Sequence, residues 1–145
     1  MTKILIAYYT KTGNTQKIAN LIAEGAKTQN ATVEVKPAQT INPQEATQAD
    51  AIAFGSPAYF SNMSGPILTL LTELYFVKDK LAGKPLAAFA TGAGSQTKTV
   101  ENIEVILKAY NPKLIQGLAT GNTITATDEQ QAKQFGEALA KAAAN

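Results

Sequence analysis

Cysteine, histidine, tryptophan and arginine are all missing from the 145 residues. Without cysteine and histidine there is no disulfide scaffold, no thiolate nucleophile, no imidazole base, and no metal site of the Cys/His kind. All 13 basic residues are Lys, so no planar guanidinium fork is available to grip a phosphate or carboxylate through two parallel bonds. Charge of one sign is also scarce: 13 Lys against 11 acidic residues leave +2, without the dense basic run that binding to nucleic acid or an anionic membrane requires. No apolar stretch approaches the roughly 20 residues of a membrane-spanning helix. Met1 leads straight into an apolar segment with no leader pattern, so the expectation is a soluble cytoplasmic protein without membrane insertion. Hydroxyl, amide, carboxylate, amine and backbone chemistry remain.

At this length one compact domain, residues 1–145, is expected, burying roughly 70% of the surface its unfolded chain exposes. Ile4–Tyr9, Ala51–Gly55 and Leu86–Ala90 are short continuous apolar runs, the pattern of strands covered on both faces. Thr32–Lys36 alternates polar and apolar residues, and Leu114–Ala119 contains Gln116 and Gly117; both suit sheet edges. Between the strands, apolar residues recur at helical spacing: Ile18, Ala19, Ile22, Ala23 and Ala26; Ile67, Leu70, Leu71 and Leu74; Val100, Ile103, Leu107 and Tyr110. A last helix spans about Asp128–Ala143, and Pro43 suits the first turn of a short surface helix. This alternation predicts an α/β fold: a three-layer sandwich with a parallel sheet and helices on both faces. Five strands fit the flavodoxin-like order 2-1-3-4-5, in which ligands bind outside the carboxyl ends of the strands.

Three loops meet at those ends. Thr10-Lys11-Thr12-Gly13-Asn14-Thr15 combines hydroxyls, a Gly and the amino end of a helix, a cradle suited to phosphate. One of its Thr or Asn side chains acting as an ordinary helix cap is the competing reading. Ser56-Pro57-Ala58-Tyr59-Phe60-Ser61-Asn62-Met63 places two aromatics where polar turn residues are usual. They either wall a flat heterocycle or pack into the core. Thr91-Gly92-Ala93-Gly94-Ser95-Gln96 has no bulky side chain to stop a ligand edge from reaching the main chain. Other motifs fail by position. Gly92-Ala93-Gly94 lacks the third Gly of a dinucleotide fingerprint, and Gly83-Lys84 runs into Pro85 where a Walker loop needs Ser or Thr. A phosphoacceptor receiver domain would need acidic residues at strand ends that hold Tyr9-Thr10 and Ser56-Pro57. Ser56 and Ser95 have no His to activate them.

The first of these loops resembles the phosphate loop of flavodoxins. The second resembles the flavin-ring loop of the related NAD(P)H:quinone oxidoreductases, and the similarity runs along nearly the whole chain. The resemblance implies one non-covalent FMN per chain and electron transfer through it. It implies that Thr10, Lys11, Thr12, Gly13, Asn14 and Thr15 hold the phosphate, and that Ser56, Pro57, Ala58, Tyr59, Phe60, Ser61 and Asn62 lie about the ring. Thr91, Gly92, Ala93, Gly94 and Gln96 are then at its pyrimidine edge. Tyr59 is the one nearby aromatic hydroxyl that can be put forward as a proton donor, although packing on the ring needs no tuned pKa.

The chain departs from the flavodoxin pattern in charge, since carriers of that family are typically strongly acidic, and in the third loop, which lacks a second aromatic. A neutral rim favours accumulation of fully reduced flavin. A ring face left open by the third loop would suit an oxidoreductase in which nicotinamide or quinone stacks on the flavin. The partner is accordingly a redox protein or a small quinone or nicotinamide. The short chain and the absence of His point away from the oxidoreductases. A flavin-less binding module of the same fold is the third reading.

Overall fold

The structure is a computed structural model that describes residues 1–145. Its strands are β1 (Lys3–Tyr8), β2 (Thr32–Pro37), β3 (Ala51–Pro57), β4 (Pro85–Gly92), β5 (Lys113–Leu114) and β6 (Leu118–Gly121). The helices are α1 (Asn14–Lys27), α2 (Pro43–Ala46), α3 (Gly65–Glu73), α4 (Gln96–Leu107) and α5 (Ala126–Ala144). All pairings are parallel, in the order β2-β1-β3-β4, with β5 and β6 both on the far side of β4. The expected order 2-1-3-4-5 holds. The expected fifth strand is interrupted, however. Lys113–Leu114 pairs with Pro85–Leu86 and Leu118–Gly121 with Phe89–Gly92, while 115–117 lie between the two paired stretches, only Ile115 N–H still reaching β4 through Leu86 O at 3.0 Å. Gly117 sits where an added Cβ would lie 2.9 Å from the Ala88 carbonyl oxygen and against Val100. A close approach of this kind, which only Gly permits, interrupts regular pairing at the edge.

The apolar strands are buried for the reason their composition suggests. β4 is buried along its whole length and β3 nearly so, whereas β2 at the edge alternates between exposed and half-buried residues. One apolar cluster fills the space between the sheet and the side carrying α2, α3 and α4, with Phe54, Ile67, Leu71 and Ile103 at its centre. The opposite cluster lies under α1 and α5, around Ile6, Ile22, Phe89 and Leu139. Helix ends follow local chemistry. The short helix expected at Pro43 is a single turn closed by an Asn42/Glu45 capping box, and Thr125 with Asp128 forms another at the start of α5. Lys84 Nζ donates to the carbonyl oxygens of Thr47 and Ala49 at 2.6 and 2.7 Å, tying the entry of β4 to the chain leaving α2. No helix is long and apolar enough to cross a membrane. Because the strands are parallel, the turns after β1, β3, β4 and β6 all gather at one end of the sheet.

Candidate functional site

The turn after β1 is shaped by Gly13, whose φ of 98° lies in the left-handed region that suits glycine. Its N–H donates to Thr10 Oγ1 at 3.0 Å, closing the turn on itself. No side chain caps α1, and the N–H groups of Asn14, Thr15 and Gln16 make no hydrogen bond within the protein. The helix-cap explanation of the Thr and Asn residues is thereby removed. A helix terminus normally finds partners for these donors, and here they are left unpaired at the positive end of the helix dipole. Thr15 itself is buried, and its Oγ1 lies 2.9 Å from Thr91 Oγ1, which joins the first loop to the third.

The second loop is a tight reversal. Tyr59 and Asn62 exchange both backbone hydrogen bonds, at 2.8 and 2.9 Å, across Phe60 and Ser61, which take φ of 53° and 68°. This turn is fastened to α4: Ser61 N–H donates to Ser95 Oγ at 3.2 Å, and Asn102 Nδ2 donates to Ser61 O at 2.7 Å. At its base Ser56 is wholly buried, its Oγ donating to Pro57 O and accepting from Ser64 N–H. In the third loop Gly94 N–H donates to Gln96 Oε1 at 2.8 Å. An added Cβ at Gly92 would lie 2.8 Å from the Ala58 Cβ, so the second and third loops touch through a position with no room for a side chain.

Between these loops is an open cleft of about 290 Å³ lined by Lys11, Thr12, Thr15, Pro57, Ala58, Tyr59, Thr91, Gly92, Ala93 and Asn122. Its volume is at the lower end of the range of small-molecule sites. Of the residues expected from sequence, these nine besides Asn122 come together. Thr10, Ser56, Asn62 and Gln96 instead brace the loops through the bonds just described, while Gly13 and Gly94 supply left-handed backbone. Asn14 contributes a free N–H. Phe60 does not line the cleft: it is 97% exposed, and Tyr59 alone of the aromatic pair faces inward. Burial, with a smaller contribution from neighbouring Tyr9, pushes the Tyr59 phenol above its ordinary range. That suits a ring contact and opposes proton donation near neutrality. Asn122 was not expected. It belongs to the turn after β6, a fourth loop whose Gly121-Asn122-Thr123 sequence carries a common turn signal and nothing more.

A depression of about 400 Å³ lies elsewhere, lined by Lys3, Glu34, Glu45 and Gln48 among others. Glu45 there is occupied by Lys36 at 2.8 Å. The cleft at the strand ends has the chemistry that FMN requires: unpartnered N–H groups and hydroxyls for a phosphate, an aromatic and a proline for a ring, and backbone open to a polar edge.

A family model described as flavodoxin domain matches residues 5–136. A flavodoxin of Clostridium saccharobutylicum is 30% identical, the alignment covering 95% of each chain. Among solved structures, an archaeal flavodoxin superposes with a TM-score of 0.91 at 24% identity, covering 99% of this chain and all of the other. The two-electron reduced flavodoxin of Megasphaera elsdenii superposes with a TM-score of 0.82 at 26% identity, over 95% of this chain and 98% of that one. Nothing in these comparisons favours the quinone-oxidoreductase or flavin-less readings. A matched segment of 132 residues out of 145, from 5 to 136, on a sheet of flavodoxin order, places this chain in the flavodoxin family.

Proposed function

We propose that the FMN of this flavodoxin is held in the cleft between the four loops, one per chain on a single domain, and that the protein is a carrier passing electrons between partner proteins. The unpartnered N–H groups of Asn14, Thr15 and Gln16 carry the assignment of the phosphate end. They are the kind of donor array that binds an anion through backbone N–H groups, which suits a chain with no Arg to grip it bidentately. Thr12 and the hydroxyl of Thr15 add donors, and Lys11 supplies the one positive charge on the cleft wall. Pro57, Ala58 and Tyr59 offer a largely apolar wall to the ring, and Gly92 and Ala93 leave main chain accessible opposite. When bound, FMN supplies a ring system that accepts and releases electrons; the protein binds it, orients it and keeps part of it from water.

Fluorescence quenching of FMN and of riboflavin by the apoprotein tests the phosphate assignment. FMN is expected to bind at least about tenfold more tightly than riboflavin, the worth of one or two charge-assisted hydrogen bonds. Equal affinities would remove it. The carrier reading is tested by adding NADH or NADPH to the FMN-loaded protein without oxygen. Absorbance is expected to persist until a separate reductase protein is added, and rapid bleaching by the nucleotide alone followed by reoxidation by menadione would overturn that reading.

A further inference from the structure

Three threonine hydroxyls lie together beneath the amino end of α1. Thr15, Thr91 and Thr120 are 1%, 2% and 2% exposed. Thr91 and Thr120 are register partners on β4 and β6. They stand on the same face of the sheet, because each follows by two residues a side chain, Phe89 or Leu118, of the cluster under α1 and α5. Thr15 and Thr91 share a hydrogen bond of 2.9 Å, but Thr120 Oγ1 has no partner. An unpaired buried hydroxyl forfeits its hydration with nothing in return. A valine would fill the same space without that cost, which makes the hydroxyl of Thr120 a candidate for use in the ligand-bound state.

The direction of donation decides what that use is. A hydroxyl has one hydrogen to give and two lone pairs to accept with. If Thr15 donates to Thr91, its hydroxyl has no hydrogen left for an anion in front of α1. If Thr15 donates to the anion, it must accept from Thr91, and the lone pairs of Thr91 are then free to accept in turn. Thr120, on the next strand at the same level, about 4.8 Å away from Cα to Cα, is within reach through a rotation about χ1. We infer that Thr120 is a positioning residue of the phosphate site. Its O–H turns onto Thr91, Thr91 donates to Thr15, and Thr15 presents its hydrogen to the phosphate. This inference rests on the FMN site proposed above.

Thr120→Val and Thr120→Ser are compared with the wild type as apoproteins, first by thermal unfolding and then by titration with FMN, riboflavin and inorganic phosphate. Thr120→Val is expected to melt no lower than wild type, because it removes an unpaired hydroxyl. It is expected to bind FMN about three- to tenfold more weakly, the worth of one hydrogen bond, and to weaken phosphate binding, seen in the Thr15 amide resonance, in the same proportion. Riboflavin affinity should stay within twofold, and Thr120→Ser, which keeps the hydroxyl but gives up a buried methyl and so melts somewhat lower, should match wild type in FMN and phosphate affinity. The inference is overturned if Thr120→Val leaves FMN affinity unchanged, weakens FMN and riboflavin equally, or lowers the melting temperature, or if Thr120→Ser behaves like Thr120→Val. A wild-type protein that does not prefer FMN to riboflavin would instead overturn the phosphate site itself, an outcome read in the absence of any variant.

Discussion

Phe60 holds a backbone angle of 53° with the residue 97% exposed, a cost in strain that no burial offsets. A bulky L-residue in the left-handed region is strained by roughly 1 kcal/mol or more, and the exposed ring recovers nothing through burial. Two successive residues with positive φ ask for Asn-Gly, not Phe-Ser. Replacing Phe60 with Gly is therefore expected to raise stability by about 0.5–1 kcal/mol in chemical denaturation, the strain relieved exceeding the added entropy of the unfolded chain. A loss of stability would show that the ring packs on the fold. Gly13 presents the reverse case. An added Cβ there meets no atom within 4 Å, so Gly13→Ala is costly because of φ 98° and not because of crowding. Displacement of the free N–H groups of α1 is expected to weaken FMN binding about tenfold or more while the protein stays folded, and unchanged affinity would contradict it. Single residues were only partly legible from sequence. The hydroxyls of the first loop mark it in the sequence as a candidate phosphate cradle. Tyr59 and Phe60, neighbours of the same chemical kind, could not be told apart, because the turn that sends one inward and the other outward depends on Ser95 and Asn102 some 34 and 41 positions away.

At the scale of elements, α1 and α5 are held at a distance that two glycines set. A Cβ on Gly25 would strike the carbonyl of Lys133, and one on Gly136 would strike that of Ile22. The contacts are with backbone, which no rotamer change relieves, so the helices would have to separate. Alanine favours a helix over glycine by about 1 kcal/mol, yet overpacking between rigid elements costs about 1–3 kcal/mol or more. Gly136→Ala is expected to destabilise the protein by about 1–2 kcal/mol net, measured by denaturant midpoint, and a more stable variant would show that the helix pair has slack. Helix and strand identities were readable because periodicity is a property of each segment alone. The break at 115–117 was not, because it arises where Gly117 meets Ala88 and Val100, a contact made only in the assembled sheet. Asn122 is not legible in the sequence for a related reason: its loop joins the cleft only after β6 takes its place beside β4.

Across the whole molecule the distribution of charge at the cleft matters more than its sum. The loops 10–15, 56–65, 91–97 and 121–125 contain a single charged residue, Lys11. The nearest carboxylate following the fourth loop, Asp128, accepts from the N–H of Thr125 at 3.0 Å and is held at the start of α5. A flavin held in this cleft as proposed would be reduced without carboxylates on these four loops opposing the negative charge it gains. Adding one carboxylate tests this directly. Ser61 has φ 68°, which Asp tolerates better than most residues, and its turn is anchored through backbone groups that the substitution leaves in place. A negative charge about 8 Å from a developing one, in surroundings of effective dielectric about 40, costs about 1 kcal/mol, or about 20 mV for a two-electron couple. Ser61→Asp is expected to lower the midpoint potential of the FMN-loaded protein by about that amount at low ionic strength, with the shift shrinking in molar salt as screening shortens its range. Lys141→Glu, in the last turn of α5 and so about 20 Å along that helix from the loop end, changes the net charge by two units, but when both variants are compared at about 0.1 M ionic strength it sits beyond the Debye length of about 10 Å and should leave the potential where it is. Equal shifts from both variants would mean that net charge and not the neutral rim governs the flavin, whereas a shift from Ser61→Asp alone assigns that control to the four loops.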